Sequence, residues 1–328
     1  YFENSWTNLK YMNSLIIFSD LNDEHVLRVI KHLPDNAIVY HFTFENIISQ
    51  GYHITLDNNG DFIIKIGTTV FKENQFPHFT IWLRKPNLSF YYSLSNQQHE
   101  NDYLNDECKA FLKTICLVFS KAKWFNSYEN ISKAKGRIHQ LQAALRLGMK
   151  VPKTLLTNII ADIDESFDSK HKLVMKRLGN NKINLPEGVS IFASLFSLTD
   201  TDPFLFQRGV NYLQEYIDAV IEVRVTIVGD EVFACSFEKD FTNPTIIDYR
   251  NQLNVKNYLA VELPEELKNA LRLLTNTYHL NYNTADLLKD KDGNYYFLEM
   301  NANGEYIWIE DLTDFPISKS IASKIMEL

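Results

Sequence analysis

One stretch near the C-terminus permits few folds. Residues 282–304 read YNTADLLKDKDGNYYFLEMNANG, two apolar arms around Asp292-Gly293. That dipeptide is a tight-turn signal, so the stretch is predicted to form two adjacent antiparallel strands. Side chains alternate along a strand, so Glu299 and Asn301 share a face, and the partner strand can bring Asp286 to it. Two carboxylates and one amide oxygen are hard donors suited to Mg2+, which takes few protein ligands and completes its shell with water and phosphate oxygens. Solvated acids on an edge hairpin are the alternative. Asn303-Gly304 turns the chain immediately afterwards.

The rest of the chain surrounds this hairpin with mixed elements. SLIIFSD (14–20), DEHVLRVIKHL (23–33) and AIVYHF (37–42) form a β-α-β opening, with residues 1–11 read as an extension ahead of it. ITLDNNGDFIIKI (54–66) is a hairpin, FTIWLRKP (79–86) a strand, 86–101 a polar loop, and 101–120 a helix. The pattern changes near Phe125-Asn126-Ser127. QLQAALRLG (140–148) is a helix closed by glycine, and HKLVMK (171–176) is a strand. IEVRVTIVGDEVFACSFEK is a hairpin turned at Gly229-Asp230, and LPEELKNALRLLTNTYHL is a helix with Pro264, Glu265 and Glu266 at its start. A terminal helix follows the Asp292-Gly293 hairpin. The fold class is α+β or α/β in three segments.

Composition removes several function classes. A chain of 328 residues with 45% hydrophobic content can build more than one core. A net charge of −8 removes the phosphate-neutralising term of a general nucleic-acid binder, so no nucleic-acid partner is expected. No apolar run approaches the roughly 18 residues of a membrane span, so no membrane partner is expected. Cys108, Cys116 and Cys235 are an odd set with no C-x-x-C pair, read as buried free thiols of a reducing cytoplasm. The histidines show no zinc spacing.

Further candidate residues precede the hairpin. Gln214-Glu215-Tyr216-Ile217 can offer backbone groups to an adenine edge, Glu222 can hold ribose hydroxyls, and Arg224 can clamp phosphate oxygens with its planar fork. An alternating strand with Glu222 and Arg224 solvated is the competing account. Lys176 ends an apolar strand, where lysine needs either a phosphate partner or a path for snorkelling to water. Lys133, Lys135 and Arg137 sit before a helix, where a charge run is commonly a solvated face.

In this order the blocks resemble the ATP-grasp superfamily of carboxylate ligases, from Phe125 to the C-terminus. FLEMNANGEYIWIEDLTDFPISKSIASKI is similar to the ending of the microviridin-type ligases, the graspetide synthetases. QLQAALRLGMKVPKTLLTN, LQEYIDAVIEVRVTIVGDEVFA, IDYR and IWLRKP are similar to other blocks of that family. The resemblance implies an ATP-grasp fold with an N-terminal α/β domain (1–126), a small central lid (127–213) and a C-terminal catalytic domain (214–328). It implies ATP and Mg2+ as cofactors. It also implies a ribosomal precursor peptide, leader plus core, as partner, and a cytoplasmic homodimer. Such enzymes join side-chain carboxylates of the peptide to its hydroxyls or amines. The runner-up is an ATP-grasp ligase acting on small amino acids or a protein tail, and a nucleotide-binding regulator without turnover is the non-enzyme alternative.

Carried over, Lys176 and Arg224 act on the transferred phosphoryl group. Gln214, Glu215, Tyr216 and Ile217 form the adenine connector, with Glu222 at the ribose. Asp286, Glu299 and Asn301 hold the metal. Asp248 and Arg250 match a D-x-R pair near the acceptor or acyl site, with Arg84 and Asn303 toward the peptide. Arg137 stands where the superfamily usually has a nucleotide-contacting lysine, and Lys135 can reach the same phosphate. The loop 178–188 has few glycines for a phosphate cover. Arg84, Lys85, Tyr91 and Tyr92 are candidates for leader recognition, with a solvated loop as the alternative. Ile307 is expected in the core, and Tyr306 and Trp308 either fill the core or wall the peptide.

Overall fold

The computed structural model describes residues 14–86, 97–168, 171–179, 193–238 and 256–328. Asp248, Arg250, Tyr91, Tyr92 and most of the loop 178–188 lie outside the described residues.

The opening segment builds a parallel sheet in the order β2-β1-β6-β7, from β1 (Ser14–Phe18), β2 (Ile38–Phe42), β6 (Phe79–Leu83) and β7 (Lys123–Phe125). Both β1 and β6 are buried along their whole length, as strands covered on two faces must be. Helix α1 (Glu24–Ile30) crosses from β1 to β2 and is capped by Asp23, whose carboxylate accepts from the His25 N–H at 3.0 Å. After α2 (Phe44–Gln50), a small antiparallel sheet joins β3 (Tyr52–Leu56), β4 (Phe62–Ile66) and β5 (Thr69–Lys72). Its first turn is set by the Asp57 carboxylate, which accepts from Asn59 and Asp61 N–H at 2.8 and 3.0 Å, and by Gly60 at φ 83°. Helix α3 (Gln98–Val118) returns the chain to β7.

Helices α4 (Tyr128–Ala134) and α5 (Arg137–Arg146) lead to the second of three larger sheets, which is antiparallel. Its order is β10-β9-β11-β8, from β8 (Thr154–Thr157), β9 (Leu173–Lys176), β10 (Ser194–Phe196) and β11 (Asn211–Glu215). Helices α6 (Ala161–Ser166) and α7 (Pro203–Arg208) cover one face, where Ile163, Phe167 and Phe206 bury Leu173 and Leu213. Alternation therefore gives the opposite face to Thr154, Val174, Lys176, Tyr212 and Gln214. This middle sheet is half apolar core and half polar wall.

The third sheet has the order β14-β13-β12-β15-β16 and is antiparallel throughout. Its strands are β12 (Ala219–Val228), β13 (Glu231–Glu238), β14 (Lys256–Ala260), β15 (Tyr282–Asp290) and β16 (Tyr295–Asn301). Val223, Val225, Ile227, Ala285 and Leu287 join one core cluster with Leu271 and Leu274 of α8 (Glu265–Thr277). Each fully buried valine, leucine or isoleucine among them contributes roughly 1.5–3 kcal/mol. Glu222, Arg224 and Thr226 take the other face. Helices α9 (Ile307–Thr313) and α10 (Ile317–Glu327) close a second cluster with β1, α1 and the far end of the third sheet. Tyr306 is buried in that cluster, Ile307 is half-buried against it, and Trp308 rests edge-on to Phe237 and Tyr258. The three cysteines are buried and free. No helix among the described residues is long and apolar enough to cross a membrane.

Candidate active site

The expected strand pair is present and is more specific than alternation alone would make it. Asp286 lies opposite Glu299, and Thr284 opposite Asn301. Unbroken alternation on β16 would put Phe297 and Glu299 on one face. Instead Leu287 pairs with Phe297 while Asp286 pairs with Glu299, so Leu298 is an inserted residue. The resulting β-bulge sends Phe297, 1% exposed, into the core and turns Glu299 and Asn301 onto the face of Asp286.

β16 is an edge strand, and its outer groups are held by side chains from elsewhere. The Gln140 carboxamide accepts from Met300 N–H at 2.8 Å and donates to Met300 O at 3.0 Å. Phe297 N–H donates to Lys150 O at 2.8 Å. Asn126, buried and at φ 64°, donates to Tyr282 O and Ala302 O at 2.6 and 2.9 Å and accepts from Asn281 N–H. The following turn is fixed by the Asn303 N–H, which donates to Asn301 Oδ1 at 3.0 Å. Gly304 is required there, because a Cβ would overlap the Thr284 side chain.

Arginines meet both carboxylates. Arg224, directly opposite Asp286 on β12, donates from Nη1 to Asp286 Oδ1 at 2.6 Å. Arg137, the first residue of α5, brings Nη2 within 3.2 Å of Glu299 Oε2 and donates from Nη1 to the Arg177 carbonyl at the end of β9. One guanidinium thus bridges the middle and third sheets. Lys135 is exposed at the C-cap of α4, so Arg137 is the residue brought to the acids. Lys176 is half-buried on the polar wall of the middle sheet, opposite Tyr212. Burial pushes the Tyr212 hydroxyl up to about 12, so it stays protonated at neutral pH.

At the far end, Gln214 is 1% exposed, with Nε2 donating to Thr154 Oγ1 at 3.0 Å and Oε1 buried with no hydrogen-bond partner among the described residues. Glu215 N–H and Tyr216 N–H donate to Lys153 O and Lys172 O at 2.8 Å each, so these two connector donors serve the fold. Ile217 is buried, and Glu222 is buried on the same face as Arg224, with Leu288 and Tyr296 in register beside it. Leu288, Tyr296 and Tyr212 are additional wall residues. Alternation around Glu222, Asp286 and Gln214 is the signal that marks them.

Arg84 and Asn303 meet at the other end. Arg84 is 2% exposed; Nη1 donates to Asn303 O at 2.5 Å, and Nε lies 3.7 Å from Asp23 Oδ2. His25 Nδ1 is 3.0 Å from Asp23 Oδ1, and His25 Nε2 accepts from Tyr306 N–H at 3.3 Å, which fixes the Nδ1–H tautomer. Lys85 pairs with Glu305 at 2.9 Å. Arg84 is therefore a buried clamp on the turn, and Asn303 is half-buried beside it.

The donor set fits a hard divalent cation. Asp286, Glu299 and Asn301 present oxygen donors on one face, with cationic Arg224 and Arg137 beside them. Asn301 Oδ1 keeps a second lone pair beyond its bond to Asn303. Among the described residues no group of three or more His, Cys, Asp or Glu side chains forms a further metal cluster.

No family model matches the chain, and no curated protein matches it. Solved structures do. The macrocyclase MdnC bound with precursor peptide MdnA from Microcystis aeruginosa MRC is 23% identical with a TM-score of 0.77, over 96% of this chain and 99% of that one. A Chryseobacterium gregarium RiPP-associated ATP-grasp ligase, in complex with ADP and a leader and core peptide, is 21% identical with a TM-score of 0.80, over 96% and 97%. The ATP-grasp ligase PsnB, complexed with minimal precursor, Mg and ADP, is 17% identical with a TM-score of 0.73, over 96% and 97%. Along nearly its whole length, the chain has the ATP-grasp fold of these ligases.

Proposed function

We propose that this chain is an ADP-forming ligase that makes macrocyclic ω-ester or ω-amide bonds between side chains of a ribosomally made precursor peptide. The observation that carries the reading is the single face on which Asp286, Glu299 and Asn301 meet Arg224 and Arg137, opposite the polar wall of Lys176, Tyr212 and Gln214. In this reading ATP lies between the middle and third sheets, with adenine toward Gln214–Ile217, ribose at Glu222, and phosphates toward Lys176, Arg137 and Arg224. Asp286, Glu299 and Asn301 hold Mg2+, which when bound neutralises phosphate charge.

A peptide Asp or Glu carboxylate attacks the γ-phosphorus, and the bond to the β-phosphate oxygen breaks to release ADP. Lys176 and Arg224 stabilise the charge on the transferred group. A Ser or Thr hydroxyl or a Lys amine of the same peptide attacks the acyl phosphate, expelling phosphate and closing the ring. The proposed domains are 1–126, 127–213 as a lid that excludes water, and 214–328; β11 straddles the second boundary. A cytoplasmic homodimer, with leader recognition by the N-terminal domain and Asp248, Arg250, Arg84 and Asn303 toward the peptide, completes the proposal.

The likeness to peptide-bound ligases over nearly the whole chain favours this reading over one that adds single amino acids to a small molecule or protein tail. Glu299→Ala is expected to lose peptide-dependent ADP release by at least about 100-fold while keeping its circular dichroism spectrum. Full activity in that variant would refute the metal assignment.

A further inference from the structure

The arginines beside the candidate phosphate path are already partnered with the carboxylates of the candidate metal set. Arg137 Nη2 lies 3.2 Å from Glu299 Oε2, with side chains 20% and 25% exposed, and Arg224 Nη1 lies 2.6 Å from Asp286 Oδ1, with side chains 10% and 18% exposed. Charges this far withdrawn from water are costly to leave unmatched.

An anion arriving alone draws Arg137 away and leaves Glu299 facing more negative charge. A divalent cation arriving alone draws Glu299 away and leaves Arg137 facing more positive charge. A metal–phosphate complex does both at once. The guanidinium passes to a phosphate oxygen, the carboxylate passes to the metal, and every charge keeps an opposite neighbour. The same logic holds for Arg224 and Asp286.

We propose that the Arg137–Glu299 and Arg224–Asp286 pairs form a partner-exchange latch, which makes the site take a divalent cation and a nucleotide polyphosphate together and resist either alone. This rests on the nucleotide reading above and adds to it a source of coupling between the two ligands. Arg137 also donates to the Arg177 carbonyl, so the exchange at Glu299 alters one tie between the middle and third sheets while the other remains.

The test is isothermal titration calorimetry of the full chain with ADP, in chelator and in Mg2+. Glu299→Gln is expected to tighten metal-free ADP binding about 3- to 5-fold, the scale of a partly exposed ion pair. In an Arg137→Gln background the same change should tighten it by a clearly smaller factor, because no pair is left to break and only the acid's own repulsion is removed. Equal tightening in both backgrounds would mean simple repulsion by the acid and would overturn the latch, as would no tightening in the parent background. Failure of the unmodified chain to bind ADP with Mg2+ would instead overturn the nucleotide reading itself. If Glu299→Gln does not fold, Arg137→Gln is titrated with Mn2+ alone and followed by electron paramagnetic resonance. Mn2+ affinity about 3- to 5-fold above the unmodified chain supports the latch, and unchanged or weaker affinity overturns it.

Discussion

Two residues outside the charged set decide whether the site exists. Gly304 lies so close to Thr284 that any Cβ would overlap its side chain. Gly304→Ala must move the turn that follows Asn301, at a cost of about 1–3 kcal/mol. Thermal melting should show the lower midpoint, and peptide-dependent ADP release should fall with it; an unchanged melt and rate would contradict the close approach. His25 is the second. Burial holds it below its ordinary value of 6.5, against the Asp23 hydrogen bond. Its contribution to stability is complete above pH 6.5 and is lost as the pH falls toward the folded value, because only the unfolded chain takes up the proton readily. Burial works against ionisation of Asp23, but the His25 hydrogen bond and the Arg84 charge outweigh it and hold the carboxyl at about 2, so its own contribution fades only from 3.8 downward. His41, also lowered by burial, adds to the His25 trend. Urea midpoints should therefore drop from pH 7.5 to 5.5, and drop less in His25→Gln. An equal drop in that variant would show that the acid sensitivity lies elsewhere.

At the scale of elements, the bulge at Leu298 is the decisive irregularity. It lets β16 give Phe297 to the core and Glu299 and Asn301 to the site within five residues. Deleting Leu298 removes the inserted residue and sets Glu299 directly after Phe297, so plain alternation still gives Phe297 to the core and both donors to the face of Asp286. Mg2+-dependent ADP binding should therefore persist in that variant, as isothermal titration calorimetry would show. Loss of binding with an unchanged far-UV spectrum would mean that the bulge itself, and not only the shared face, aims Glu299 and Asn301. The hairpin itself was legible in Asp292-Gly293 and its apolar arms. The bulge was not, because Leu298 is an ordinary strand residue with no glycine to mark it. Sequence also left Arg137 and Lys135 as equals. Only the start of α5 after Gly136 separates them, putting Arg137 inside and Lys135 at an exposed cap.

Across the whole molecule, the three segments and many of the strands that build the four sheets could be read from periodicity and turn chemistry, since each rests on local pattern. What tied them together could not. Gln140 and Asn126 hold β16 from 160 and 176 residues away, and Arg84 clamps the turn from 219. Such polar contacts leave no trace in a local window, and nothing near Arg84 in the chain marks its bond to the Asn303 carbonyl. The proposed ring closure depends on those sheets meeting around the nucleotide. The most direct measurement is the intact mass of a Thr/Lys- and Asp/Glu-rich precursor peptide after incubation with the chain, ATP and Mg2+, with ADP counted in parallel. The account predicts a loss of one water per bond formed and one ADP per water lost. A gain equal to an added amino acid, or ADP release with the peptide mass unchanged, would contradict it.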